Sequence, residues 1–385
     1  MESEKYNKFF DDGDFFFFFF KYKKAITCYN KAIELNPENP DIYFSRGFSF
    51  EQLKNYKKAL ADYNKVVELD PENADIYINR AEIYYVTKQY DDAISDYNKA
   101  IKLSPQDHDV YRKRGEAYSE LEEFDEAIAD YSQAIKLNPE EGEVYWLRGV
   151  IYNELEEYEK AITDYSQAIK LNIKDPDLYS GRADAYRELE KYDKAISDYN
   201  KAIKLNPKDH DSYSGRGSSY RDMEIYDKAL ADYNQAISLQ PDNADNFIGR
   251  GIIYEAQKKY SKAVSDFNKA VKLDPENIFA CYFRAETYRH KEEYDKAIAD
   301  YNQIIKVDAQ DYEAYFKRGN IYYYQEKYDK AISDYTKSIE LDPDCTEAYI
   351  NRGFAYKKQG QQDKAKADHA QAVKIDPKEE TKFKE

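Results

Sequence analysis

The sequence predicts an all-α solenoid, one helix pair copied eleven times along 385 residues, and three observations carry that reading. Prolines stand at Pro37, Pro71, Pro105, Pro139, Pro207, Pro241, Pro275, Pro343 and Pro377, always 34 residues or a multiple of 34 apart. With each proline taken as position 32, position 20 is alanine in every copy, from Ala25 to Ala365, and position 8 is always glycine or alanine. Aromatic residues recur at positions 4, 11, 17 and 24, the spacing that sets them on helical faces beside the small residues.

These positions divide each copy into two helices, A and B, that approach closely where the side chains are small. In the fourth copy Tyr111, Gly115 and Tyr118 mark helix A, Ala127, Tyr131 and Ala134 mark helix B, and Glu120 to Phe124 is the turn. Asp125 opens helix B, where a carboxylate meets the positive end of the helix dipole, and Pro139 stops it. Each helix has about 14 residues and spans ~20 Å. The first copy begins at Tyr6 and the eleventh ends at Glu379, which gives an N-terminal tail of residues 1–5, one solenoid over 6–379 and a C-terminal tail of 380–385.

The pattern resembles the tetratricopeptide repeat family. In the seventh copy Tyr213, Gly217, Tyr220, Ala229, Tyr233, Ala236 and Pro241 meet the family's aromatic 4, Gly/Ala 8, Tyr 11, Ala 20, aromatic 24, Ala 27 and Pro 32. The resemblance covers nearly the whole chain. It implies a right-handed α-α superhelix of antiparallel helix pairs, with the A helices lining a concave groove that binds segments of other proteins. No single unit buries its apolar face alone, so neighbours must stack.

Composition excludes several classes. The 13 Gly and 11 Pro are too few for a disordered linker, and 41 Tyr supply ample apolar surface to bury. Fifty-eight basic against 75 acidic residues give a net charge of -17, which repels a nucleic-acid backbone. The expected partners are therefore protein or peptide segments of basic or amphipathic character. Cys28, Cys281 and Cys345 are odd in number and fall at three different repeat positions, which fits reduced thiols in a cytoplasmic protein. No stretch approaches the roughly 20 apolar residues of a membrane span. The run Phe15 to Phe20 follows Asp11, Asp12 and Asp14 and precedes Lys21-Tyr22-Lys23-Lys24, flanks that do not suit a signal peptide.

The copies are not identical, and the departures are informative. The fifth ends in Ile173 and the ninth in Ala309 instead of proline, read either as tolerated turns or as softer joints. Cys281 takes the aromatic place at position 4 and is expected to pack as a small residue. Gln362, Lys366 and His369 replace apolar residues of helix B in the last unit, making a polar end cap. The first unit has no such cap: Phe17 to Phe20 occupy places that are mostly polar elsewhere. Three readings stay open for that run, namely low-complexity drift, docking of a partner or a second copy, and membrane contact.

Position 7, commonly leucine in the family, is arginine in copies 2 to 11, and position 23 is aspartate in the same ten. The first copy lacks both, having Asp12 and Cys28. Pairing within a unit leaves neither end with an orphan, so a same-unit ion pair is expected rather than a phosphate-binding stripe.

Catalytic chemistry finds no residues. His108, His210, His290 and His369 are not at metal-ligand spacing from one another or from a cysteine, and no phosphate loop or nucleophile elbow is present. The expectation is a non-catalytic interaction scaffold with no cofactor and no metal. Its binding residues belong at positions 2, 5, 6, 9, 12 and 13 of the A helices, which the resemblance places on the groove. The candidates are Phe44, Phe48, Asn79, Tyr85, Arg112, Trp146, Asn153, Tyr282, Phe316, Lys317, Asn320, Tyr323 and Phe354. Aromatics with scattered amide and basic groups suit an extended peptide, although about half are expected to pack against the next A helix instead. Lys317 and Asn320 approach the carboxylate clamp of some relatives, but copies 2 to 4 lack the full set, so chaperone-tail binding is not expected. The alternative function is a self-assembling solenoid joined through Phe15 to Phe20.

Overall fold

A computed structural model describes residues 2–378, and among them every regular element is a helix. The tail expected at 380–385 lies outside the described residues. The chain divides into two compact units, Met1–Glu190 and Lys191–Glu385.

The first unit contains α1 (Glu2–Phe18), α2 (Tyr22–Leu35), α3 (Pro40–Gln52), α4 (Tyr56–Leu69), α5 (Ala74–Val86), α6 (Tyr90–Leu103), α7 (His108–Glu120), α8 (Phe124–Leu137), α9 (Gly142–Glu154), α10 (Tyr158–Lys170) and α11 (Pro176–Glu188). The second contains α12 (Tyr192–Leu205), α13 (His210–Asp222), α14 (Tyr226–Leu239), α15 (Ala244–Ala256), α16 (Tyr260–Leu273), α17 (Ile278–His290), α18 (Tyr294–Val307), α19 (Tyr312–Tyr324), α20 (Tyr328–Leu341), α21 (Thr346–Lys358) and α22 (Gln362–Ile375). Odd-numbered helices are A and even-numbered are B. Helix α1 begins at Glu2, within the segment expected as an N-terminal tail.

Local chemistry sets the helix ends. Most A helices open on an Asn or Asp whose side chain accepts from a backbone N–H of the first turn, as Asn73 does from Asp75 at 3.0 Å and Asp107 from Asp109 at 3.1 Å. The A-to-B turn places one residue of each copy in the left-handed region, from Lys54 at φ 56° to Gly360 at φ 76°. Where proline is missing at Ile173, α10 ends early at Lys170, Asn172 turns left-handed at φ 68°, and the Ile173 N–H reaches back to the Ala168 carbonyl at 3.3 Å. The Ile173 side chain then fills the space beside Gly142, where a Cβ would sit 2.9 Å from it. An apolar contact replaces the proline at this joint.

Packing follows the small residues. The alanines at positions 20 and 27 of helix B are buried, and the position-24 tyrosines Tyr29, Tyr63, Tyr97, Tyr131, Tyr165, Tyr199, Tyr233, Tyr301 and Tyr335 lie almost wholly inside. Where position 8 of helix A is glycine, the ring of its own copy presses on it, as Tyr131 does on Gly115 and Tyr335 on Gly319. Between copies of the first unit, Ile42, Ile76, Val110, Val144 and Leu178 fill the seams. Cys281 is buried in the α17–α18 core, as expected of a packing residue, and burial pushes its thiol up to about 11. Successive A helices also touch, as in α7 with α9 and α13 with α15, whereas no B helix meets the next B to that extent among the described residues. Each unit therefore curls with its A helices inside.

The arginine ladder pairs within copies. Arg46 with Asp62, Arg80 with Asp96, Arg114 with Asp130, Arg148 with Asp164, Arg216 with Asp232, Arg250 with Asp266, Arg284 with Asp300, Arg318 with Asp334 and Arg352 with Asp368 all form two-pronged pairs at 2.6 to 2.9 Å. The sequence reading missed the third prong. Each free Nη1 donates to an Asn, Ser or Thr oxygen on helix B of the preceding copy, as from Arg80 to Asn64 at 2.7 Å and from Arg352 to Thr336 at 3.0 Å. One arginine thus joins its own two helices and closes the seam behind it. Gln362 and Lys366 of α22 are exposed.

Candidate A-helix binding face

The A helices carry two side-chain clusters, one in each unit. The buried tyrosine ladder supplies their floor, because several position-24 hydroxyls emerge beside position 9 or 12 of their own helix A. Tyr29 donates to Asp14 at 2.8 Å, Tyr63 to Glu51 at 2.6 Å and Tyr335 to Asn320 at 2.8 Å, and Tyr301 donates to Glu286. These hydroxyls were not read as functional from the sequence. The available signal was that tyrosine stands where phenylalanine would serve a dry core equally well.

In the first unit the cluster is ionic. Arg112 binds Asp109 and Glu116 and lies 3.4 Å from Glu141, and Lys113 binds Glu82 and reaches Asp109 at 3.0 Å. Burial opposes the charge on Asp109, but Lys113 and Arg112 hold its carboxyl below the usual range. Burial dominates at Glu116 and Glu51 and raises both. Arg112 is therefore already engaged by three acids, and carboxylates outnumber the two cations. Tyr85 packs edge-on against Tyr90 at 5.5 Å, and burial, with Glu120 and Glu116 nearby, pushes its phenol up to about 12.

The other candidates of that unit are spread out. Phe44 packs on Tyr63 at 6.0 Å, and Phe48 packs on Phe17 at 5.5 Å, away from the ionic cluster. Asn79 turns its amide to the Asp75 carbonyl of its own helix at 2.7 Å. Trp146 is half-buried against the Ala161–Tyr165 core, and the buried Asn153 Oδ1 has no hydrogen-bond partner.

The second unit gathers its candidates into a pocket. Asn320, Tyr323 and Phe354 come together with Tyr324, Tyr335 and Asn351 around a cavity of about 100 Å³. Asn320 Oδ1 accepts from the Tyr335 hydroxyl and from Asn351 Nδ2, both at 2.8 Å. Two donors on one oxygen fix both amide orientations, and they leave Asn320 Nδ2 and Asn351 Oδ1 as one unspent donor and one unspent acceptor. Phe316 backs the pocket through Tyr335 at 6.0 Å. Lys317 lies 3.4 Å from Glu313 and bears electrostatically on Glu286, whose carboxyl it helps hold below the usual range against burial, together with Tyr301 and Arg289. Tyr282 is apart from the pocket, packed on Tyr301 at 5.8 Å with its hydroxyl donated to Asp311 at 2.7 Å.

Comparison with known families is consistent with this architecture. Models described as tetratricopeptide repeat match residues 40–107, 112–179, 176–277, 280–311 and 346–379, and one described as TPR repeat matches 21–54 and 319–360. No curated protein matches the chain. Among solved structures, a tetratricopeptide repeat protein from Parabacteroides merdae ATCC 43184 is 23% identical over 64% of this chain and 98% of its own, with a TM-score of 0.49. Yeast Tom70 is 19% identical over 97% of this chain and 93% of its own, at a TM-score of 0.45. YrrB, described as a TPR protein with an unusual peptide-binding site, is 24% identical over 48% of this chain and 95% of its own, at 0.43.

Proposed function

The chain belongs to the tetratricopeptide repeat family, and from that premise we propose that it is a non-catalytic scaffold that holds extended segments of partner proteins on its A-helix face. The observation that carries this reading is the asparagine pair of the second unit. One donor at Asn320 and one acceptor at Asn351, fixed in orientation by Tyr335, complement the N–H and C=O of a peptide group. Tyr323, Tyr324 and Phe354 offer apolar walls to a neighbouring side chain. The cavity of about 100 Å³ falls well short of the roughly 300–1,000 Å³ typical of small-molecule sites, which favours a chain segment over a metabolite.

The first unit's cluster adds a preference for charge. Glu82, Asp109, Glu116 and Glu141 are met by Arg112 and Lys113, with the His108 Nδ1 2.7 Å from Glu141, so a partner segment with lysine or arginine completes the balance. The test uses an array of 12-residue peptides probed with the full chain, followed by calorimetry on the tightest binder. Asn351→Ala with Phe354→Ala is expected to weaken that peptide at least tenfold, about 1.4 kcal/mol. Equal affinity for the variant and the original chain would remove the pocket from the proposal.

A further inference from the structure

The A-to-B turns of the first two copies differ from every turn that follows them in the first unit. Residues 15–24 and 52–58 hold six lysines, Lys21, Lys23, Lys24, Lys54, Lys57 and Lys58, and no acidic residue. All six are exposed. The corresponding turns of the fourth and fifth copies are acidic, with Glu120, Glu122, Glu123 and Asp125 in one and Glu154, Glu156, Glu157 and Glu159 in the other. The lysines surround bare aromatic surface: Phe18 is 76% exposed and Phe20 78%, with Phe15 and Phe19 more than half exposed.

The two turns share one face. Phe17 to Phe20 line an open cavity of about 590 Å³ together with Tyr22, Phe48 and Gln52, and Gln52 with Lys54 and Tyr56 lines the next depression along, where Glu51 and Glu82 also stand. Lysine ammonium groups approach the rings, with Lys21 Nζ 6.0 Å from the Phe19 centroid, Lys24 Nζ 5.5 Å from that of Phe16 and Lys58 Nζ 5.3 Å from that of Phe50. Phe20 holds the left-handed turn position at φ 56°, where later copies have Lys, Glu or Gly, so the turn that every copy makes carries an exposed ring in the first. The nearby carboxylates are engaged, Asp14 by Tyr29, Glu51 by Tyr63 and Glu82 by Lys113.

We propose that this edge docks on an anionic phospholipid surface, with Phe18, Phe19 and Phe20 entering the interface and the six lysines meeting headgroup phosphates. Aromatic rings ringed by lysine suit a negatively charged bilayer boundary, and the contact is peripheral, since no described helix is long and apolar enough to cross a membrane. A second copy suits the edge poorly, because an isologous contact would set like charges against each other. The local excess of positive charge at these two turns sets them apart in a chain of net charge -17.

The experiment is flotation of the full chain with vesicles of phosphatidylcholine alone or with about one-third phosphatidylserine. Flotation is expected only with the anionic vesicles, and is expected to vanish in about 0.5 M salt as the charges are screened. Phe18→Ser with Phe20→Ser, and separately Lys23→Glu with Lys57→Glu, are each expected to lower the bound fraction at least fivefold with unchanged circular dichroism, since all four side chains are exposed. No flotation with anionic vesicles overturns the proposal, as does equal flotation of the variants. Sedimentation without lipid adds a further arm: a multimer that the phenylalanine variant dissolves would assign the edge to a second copy and overturn it as well.

Discussion

Arg250 shows what a single residue contributes. Its guanidinium holds the nearly buried Asp266 through two bonds at 2.8 and 2.7 Å, reaches Asn234 across the seam at 2.6 Å, and stacks on Phe247 at 5.6 Å. Removing it leaves a buried carboxylate with no counter-charge, whereas removing both charges leaves an apolar gap that methylenes can fill. Arg250→Ala is expected to cost about 3–5 kcal/mol, and Arg250→Met with Asp266→Leu distinctly less, measured by urea denaturation. Equal losses would mean that the pair is solvated. Arginine and aspartate were legible in the sequence because they occur together in ten copies and are both missing from the first. The seam acceptor was not, because Asn, Ser and Thr share only an oxygen there and do not look like one position.

At the scale of the helix pair, the space beside the tyrosine rings decides which small residue is required. A Cβ on Gly249 would meet the Tyr233 ring at 2.4 Å, and that ring is buried. A Cβ on Gly217 would lie 3.3 Å from its nearest neighbour, and Ala81, Ala183 and Ala285 already occupy the same repeat position. Gly249→Ala is therefore expected to destabilise by about 1–3 kcal/mol through overpacking. Gly217→Ala is expected to be neutral or to stabilise by up to ~1 kcal/mol through helix propensity. Thermal melts of the two variants would separate these outcomes, and equal shifts would contradict the packing account. The helices, their turns and their buried faces were legible from period and residue size. The hydroxyl contacts of the candidate site were not, because a tyrosine at a packing position reads as an aromatic until the course of its ring through the layer is known. Tyr335 is the clearest case, a scaffold residue by pattern that fixes Asn320 in the pocket.

Across the whole molecule, the same tyrosines predict how stability depends on pH. Burial holds the phenols of Tyr29, Tyr63, Tyr97, Tyr131, Tyr165, Tyr301 and Tyr335 far above their usual range. In the unfolded chain they ionise near pH 10, so above that pH the folded state binds more protons and stability falls as pH rises. The contribution is intact below about pH 10, and each such phenol then removes about 1.4 kcal/mol per further pH unit. Melting temperatures followed by circular dichroism are expected to be level up to about pH 9.5 and to drop steeply beyond 10.5, and a gradual decline from neutral pH would count against a phenol-driven loss.

If recurring residues build the scaffold while binding resides on the A-helix face, site-directed photocrosslinking separates the two roles. A photoreactive phenylalanine replaces Lys317 on α19 in one protein and Lys337 on α20 in another, and each is exposed to the tightest peptide from the array. The account predicts crosslinking from position 317 that excess unlabelled peptide abolishes, and none from position 337. Crosslinking from 337 with none from 317 would contradict it.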